Sequence, residues 1–219
     1  MDLVDPADTT LPELVGRACD IWGDGLAVVD GPVRMSYSDL GEGVERTARA
    51  LAASGARPGD RVAVWAPNCW QWVVAALAVM RAGAVLVPVN SRFKGEEAAD
   101  VMRRSRARYL FAVTDFLGVD HVAVLDDHDL PDLAEIVVLF GPTPSPTPTP
   151  TPTPTNPAST WPDSAASMPG SPGVTSLASF DERASAVEGI EIERARLPSA
   201  PTTSGRSCSP RAPRACPRG

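Results

Sequence analysis

The stretch RPGDRVAVWAPNCWQWVVAALAVMRAGAVLVPVN, residues 57–90, decides the fold of this chain. Within it, residues 61–66 form a short, mostly apolar and β-branched run after a Pro-Gly-Asp turn signal, which predicts a strand covered on both faces. Residues 70–81 follow a Pro-Asn turn and are apolar nearly all round, which predicts a well-buried helix ended by Gly83. Residues 84–89 predict the next buried strand. Strand, helix and strand in this order indicate a parallel sheet with right-handed crossovers.

The sequence on either side of this stretch continues the alternation. Upstream, it predicts two helices, the second opened by a Ser-x-x-Asp capping box, and a short hairpin between them, at residues 10–22, 36–55 and 26–35. Downstream, it predicts one helix and three strands, at residues 96–105, 109–113, 122–125 and 136–140. We therefore expect an α/β fold, with a mostly parallel sheet and flanking helices, in an amino-terminal subdomain at residues 1–140.

The composition changes after this subdomain. Most of the 23 prolines follow Gly141, and residues 142–157 alternate Pro with Thr or Ser. Proline donates no backbone hydrogen bond, and Thr and Ser carry little apolar surface, so this run does not offset the entropy lost on ordering. We expect a disordered Pro/Thr/Ser-rich linker, then a short helical segment with little apolar face to bury, and then a disordered tail, at residues 141–174, 175–196 and 197–219.

Charge and cysteine content exclude several classes of protein. The formal net charge of −7 comes from the acidic first part, which argues against a nucleic-acid binder, and the basic tail lacks interleaved aromatic residues. The four cysteines show neither CxxC spacing nor a Cys/His cluster, so we expect reduced thiols, no metal site and a cytoplasmic protein. Arg81, Gly83 and Pro88 interrupt the longest apolar segment, so we expect no transmembrane segment.

Histidines and tryptophans supply few site candidates. His121 and His128 lie in or beside an acidic loop without a Cys or Ser placed as a nucleophile partner, so we expect both to be exposed to solvent. Trp65, Trp70 and Trp72 are expected to fill the core. We predict no catalytic residue in this chain.

Four motifs in a fixed order carry a family resemblance: MSYSDL at residues 35–40, RPGDRVAV at residues 57–64, PN at residues 67–68 and MRAGAVLVPVN at residues 80–90. They resemble the opening motifs of the adenylate-forming, or AMP-binding, superfamily, which includes acyl-CoA synthetases, aryl-CoA ligases, luciferases and peptide-synthetase adenylation domains. Within it, residues 89–92 followed by Glu96 and Glu97 look most like the fatty-acid and related acid–CoA ligases.

The resemblance implies an ATP-dependent, AMP-forming ligase. Such enzymes activate a carboxylic acid, here expected to be a fatty acid, to an acyl-adenylate and pass it to coenzyme A, with ATP, Mg²⁺ and coenzyme A as cofactors. The family's two catalytic lysines have no counterpart, because Lys94 is the only lysine and matches neither motif. The resemblance therefore implies an inactive, truncated chain that holds none of these cofactors by itself. It also suggests Arg92 as a residue of the coenzyme A channel, although a surface arginine that satisfies a loop is an equal alternative.

An alternative from another class is a non-catalytic interaction module. In this interpretation residues 143–154 present a polyproline II ligand or a rigid spacer to a partner protein. The Pro-Thr repeat without a nearby Arg counts against a ligand of the SH3 type.

The tail permits a second interpretation at the level of codons. In a shifted reading frame, each new codon consists of the last base of one codon and the first two bases of the next. If the unknown third bases are allowed to vary, residues 204–219 permit the peptide Gly-Pro-Ile-Leu-Phe-Thr-Ser-Gly-Thr-Thr-Gly-Val-Pro-Lys-Gly in this frame. This peptide contains the family's phosphate loop, which ends in Pro-Lys-Gly. We favour an out-of-frame origin over an Arg/Pro/Ser-rich tail of no particular origin.

We predict that the coding DNA carries an insertion or deletion near residue 196 and continues past Gly219, in the shifted frame, into the rest of an acyl-CoA synthetase. Restoring the frame should restore the ligase, because the loop supplies the N–H donors and the Lys charge that neutralise pyrophosphate. Sequencing the gene and its downstream region checks this. A CG codon for Arg218, or a shifted frame without further family motifs, would contradict it.

Overall fold

A computed structural model of the chain describes residues 10–141 and 172–186. The described residues form five helices and seven strands: α1 (Leu11–Trp22), β1 (Leu26–Asp30), β2 (Val33–Ser36), α2 (Tyr37–Ala53), β3 (Arg61–Trp65), α3 (Trp70–Arg81), β4 (Val85–Pro88), α4 (Gly95–Ser105), β5 (Tyr109–Ala112), β6 (Glu135–Val138), β7 (Gly173–Ser176) and α5 (Leu177–Glu182). The predicted α/β class is confirmed. The predicted tail and nearly all of the predicted linker lie outside the described residues.

The main sheet has five parallel strands in the order β4-β3-β5-β6-β7, and β1 and β2 form a separate antiparallel hairpin. Helix α3 connects β3 to β4 on one side of β3, and α4 returns the chain to β5 on the other side. The chain therefore reverses its direction of travel across the sheet at β3. In such sheets ligands bind at the carboxyl ends of the strands, beside the point of reversal.

Alternate residues of the strands face two separate apolar layers. In β3, Val62 and Val64 pack with α2, α3 and α5, whereas Ala63 and Trp65 pack with α4. All four are fully buried. This burial on both faces explains the unbroken apolar run and confirms the prediction that Trp65 fills the core.

Helix α2 begins at the predicted capping box. The backbone N–H of Asp39 donates to Ser36 Oγ at 3.1 Å, and the backbone N–H of Ser36 donates to Asp39 Oδ2 at 2.9 Å. These two bonds satisfy donors that have no partner within the helix, so the cap fixes where α2 starts.

Two sequence-based predictions about strands are wrong. Strand β4 is not buried but lies at the edge of the sheet, where Val85 is 44% exposed. The predicted strand at residues 122–125 is instead the 3₁₀ turn Ala123–Leu125, which buries Leu125 against the α4 layer. A short apolar run does not distinguish a strand from a turn with one buried side.

Among the helices of the described residues, none is long and apolar enough to cross a bilayer.

Strand β7 is an addition to the predicted fold, whereas α5 lies within the helical segment predicted at residues 175–196. Phe180 of α5 is fully buried and meets Phe111 of β5 edge to face, with ring centroids 5.7 Å apart. Thr47 of α2 donates its hydroxyl to Asp181 at 3.0 Å. The expectation that this part of the chain has little apolar face to bury is therefore wrong for Phe180.

A polar cluster holds β7 against β6. Arg183 Nη1 lies 2.8 Å from Oε1 and 2.9 Å from Oε2 of Glu135, which is only 9% exposed. The same guanidinium donates to Ser54 Oγ at 2.8 Å, and Thr175 Oγ1 donates to Glu135 at 2.9 Å. A carboxylate as buried as this one needs such partners, because its desolvation is otherwise uncompensated.

We predict that Arg183→Ala lowers the free energy of unfolding by about 1–2 kcal/mol, because Glu135 then stays buried without its cation. Urea unfolding followed by circular dichroism measures this. Arg104→Ala is the control, since the Arg104–Asp100 pair is exposed (81% and 53%) and its loss should cost less than about 0.5 kcal/mol. Equal losses in the two variants would show that the cluster does not stabilise the fold.

Candidate functional site

A pocket of about 300 Å³ opens at the carboxyl edge of the main sheet. One wall is the loop after β4, residues 91–94, together with Gly95 at the start of α4. The other wall follows β5 and consists of Phe116, Leu117, Val119, His121 and Val124. The pocket therefore lies at the position that the strand order favours for a ligand.

The first wall is fixed by Asn90. Its side-chain oxygen accepts the backbone N–H of Arg92 at 3.0 Å, and its carbonyl oxygen accepts the backbone N–H of Phe93 at 3.0 Å. The indole N–H of Trp65 donates to the same carbonyl oxygen at 2.9 Å. Lys94 then precedes α4, and its backbone N–H donates to Glu97 at 2.9 Å. The turn thus presents Arg92 and Lys94 at the rim of the pocket.

The second wall contains His121, which is 1% exposed rather than exposed as predicted. Its ring stacks on the indole of Trp65, with centroids 4.1 Å apart and an interplanar angle of 4°. Its Nδ1 lies 3.4 Å from the carbonyl oxygen of Trp65. Burial lowers the pKa of His121, against smaller opposing effects from the Trp65 carbonyl and from Asp120. Burial therefore favours the neutral form of the imidazole. His128 is half-buried, which also differs from the prediction.

The second wall includes a tight two-residue turn at the mouth of the pocket. Phe116 and Val119 exchange two backbone hydrogen bonds of 3.1 Å. Leu117 and Gly118 between them both have positive φ, 56° and 75°. This left-handed conformation costs a leucine roughly 1–2 kcal/mol, and it leaves Leu117 69% exposed at the mouth of the pocket.

The two walls meet at Gly95. A Cβ atom on Gly95 would collide with the carbonyl oxygen of Val124, and it would also lie 3.2 Å from Nε2 of His128. Only glycine allows the first turn of α4 to approach the 3₁₀ turn this closely, so Gly95 closes one end of the pocket.

The rim of the pocket is cationic, and its interior is mainly apolar and aromatic. Among the ion pairs of the described residues, none involves Arg92 or Lys94. The arrangement suits a ligand that has an anionic group and an apolar or flat part. Within the described part of the chain, no three His, Cys, Asp or Glu side chains are grouped to hold a metal ion.

Sequence reasoning identified only Arg92 among these residues. Signals for the others are weak: Leu117-Gly118 is not one of the usual turn dipeptides, and His121 is 56 positions from Trp65. The structure places Arg92 in the lining of the pocket.

Comparison with known proteins supplies the family. The profile of the AMP-binding enzyme family matches residues 16–177. A 3-[(3aS,4S,7aS)-7a-methyl-1,5-dioxo-octahydro-1H-inden-4-yl]propanoyl:CoA ligase of Rhodococcus jostii is 42% identical over 134 residues, which are 59% of this chain and 26% of that protein. The ligase of the same name from Mycobacterium tuberculosis is 42% identical over 58% of this chain and 25% of its own length. The chain thus spans about a quarter of these relatives.

Solved structures agree on the fold. A protein assigned as a long-chain-fatty-acid CoA ligase of Rhodopseudomonas palustris is 30% identical, with a TM-score of 0.56 over 64% of this chain and 34% of that one. A Mycobacterium tuberculosis fatty acyl CoA synthetase, 22% identical, has a TM-score of 0.53 over 57% of this chain and 25% of that one, which supports the fold alone. The five-stranded parallel sheet with its flanking helices matches the amino-terminal subdomain of adenylate-forming enzymes. The family profile covers well over half of the 219 residues, and the chain therefore belongs to the AMP-binding enzyme family.

Proposed function

We propose that this chain is part of an ATP-dependent, AMP-forming acid–CoA ligase, and that its pocket holds a phosphate group of coenzyme A against Arg92. The observation that carries the proposal is the pair of cations, Arg92 and Lys94, at the rim of a pocket on the carboxyl edge of the sheet. The relatives at 42% identity, which are named as CoA ligases, support the same reaction class.

The chemistry of Arg92 suits a phosphate. A guanidinium presents donors in a fixed fork that matches two phosphate oxygens, and it keeps its charge at any physiological pH. The pocket of about 300 Å³ is at the small end of ligand sites, so it accommodates one portion of coenzyme A while the rest lies outside. Lys94 adds a second charge that attracts the same anion.

For the acid we propose an aliphatic carboxylate, with a fatty acid as the expected member of that class. The two relatives at 42% identity are named for a propanoyl group, which is also an aliphatic acyl group. ATP and Mg²⁺ supply the activating chemistry in the intact family. We propose ATP and Mg²⁺ for the intact enzyme without assigning either to a particular residue.

We also propose a cytoplasmic location and a division of the chain at residues 1–140, 141–174, 175–196 and 197–219. Strand β7 and helix α5 lie after residue 140 but pack onto the first of these parts. The chain taken alone should lack ligase activity, because its single lysine, Lys94, stands at the rim of the pocket and not in either of the family's catalytic motifs.

We predict that the purified chain catalyses no acid-dependent exchange of pyrophosphate into ATP. Without the two lysines, the chain lacks the charges that stabilise the phosphates in the family's reaction. The exchange assay is run with a panel of fatty acids, and a heat-treated sample gives the background. Exchange above this background would show that the chain is catalytic as it stands.

We predict that the chain binds coenzyme A weakly, with a Kd of about 1 mM, since the pocket forms without the rest of the enzyme. This goes beyond the sequence-based expectation that the chain alone holds no cofactor. Arg92→Ala should raise the Kd about fivefold to tenfold, because one charge-assisted contact is lost. Titration of backbone amide NMR signals measures both values. Arg104→Ala, on exposed α4 surface away from the pocket lining, should leave the Kd unchanged; an equal effect would mean that only net charge matters.

A further inference from the structure

A series of contacts links strand β3, next to the edge strand β4, to the backbone of Arg92. The ring of His121 stacks on Trp65 at the carboxyl end of β3. The indole N–H of Trp65 donates to the carbonyl oxygen of Asn90, at 2.9 Å. The side-chain oxygen of Asn90 then accepts the backbone N–H of Arg92, at 3.0 Å.

The two ends of this series differ in burial. Trp65 is 0% exposed and packs within the apolar layer under α4, so its indole occupies one fixed position. Arg92 is exposed, and a long exposed side chain on an exposed loop normally has many conformations. The bond from Trp65 spans 25 positions of sequence and connects the loop after β4 to the buried end of β3.

We infer that Trp65 and Asn90 are positioning residues for Arg92. They hold the loop after β4 so that the guanidinium faces the pocket before a ligand arrives, which reduces the ordering cost of binding. His121 supports the indole from the pocket side. The identity of the ligand in this inference rests on the proposed function, whereas the contacts among these residues do not.

The first test measures the loop directly by amide hydrogen exchange of the full chain. Trp65→Phe keeps an aromatic ring in the core but removes the indole N–H. The amide of Arg92 should then exchange about tenfold faster, because one hydrogen bond that orders its turn is lost. Trp72→Phe is the matched control: Trp72 is a half-buried residue of α3 that packs against the other apolar layer. It should leave the Arg92 amide unchanged.

Asn90 provides a second variant that does not disturb the core. Asn90→Ala should also expose the Arg92 amide to exchange. Asn90→Ser should restore most of the protection, because a serine hydroxyl accepts from the N–H two residues later, as the asparagine side chain does. If Trp65→Phe and Asn90→Ala both leave the exchange of Arg92 unchanged, the inference is overturned.

The second test asks whether these residues act through Arg92. With coenzyme A as the probe, Trp65→Phe and Asn90→Ala should each raise the Kd about fivefold. In the Arg92→Ala background they should have no further effect, which is the result expected when residues act through one group. Equal effects in both backgrounds would indicate general damage to the fold and would overturn the inference. If the unaltered chain and Arg92→Ala show the same absence of binding, the proposed function fails, and the exchange measurements alone decide whether Trp65 and Asn90 position the loop.

Discussion

Strand β3 is buried from Val62 to Trp65, and the rest of the structure depends on this burial. It pairs with β4 and β5, and its side chains alternate between the layer under α2 and α3 and the layer under α4. Apolar burial of this kind contributes about 25 cal/mol per Å² and is the main favourable term in folding. The two apolar layers use alternate residues of one strand. The position of the helices on one face of β3 therefore fixes the position of the helix on the other face.

The same strand organises the pocket. Trp65, its last residue, packs in the core, supports His121 by stacking and donates to the loop that carries Arg92. In the strand order β4-β3-β5, the loops after β4 and β5 flank the carboxyl end of β3 and form the two walls of the pocket. A crevice there is a consequence of strand order, and the side chains of the two loops decide what it can hold.

The far edge of the sheet is stabilised by different means. Strand β7 comes long after β6 in sequence, and it is held by the buried Phe180 and by the contacts among Arg183, Glu135 and Thr175. Phe180 adds apolar burial, whereas the polar cluster mainly prevents the cost of leaving Glu135 buried without a partner. These contacts among described residues attach β7 to β6, although the two strands are far apart in sequence.

The sequence by itself determined the α/β class, the bounds of most helices and the family resemblance, and it selected Arg92. Those features depend on neighbours a few positions apart: the capping box of Ser36 and Asp39, the apolar period of a helix, or a turn signal before a strand. Only the tertiary structure decided that β4 is an edge strand, that His121 is buried and that β7 joins the sheet. Each of these follows from contacts between distant positions, such as His121 with Trp65 across 56 positions and Arg183 with Glu135 across 48. Local periodicity reports which side of an element is apolar, but it does not report which distant element covers that side.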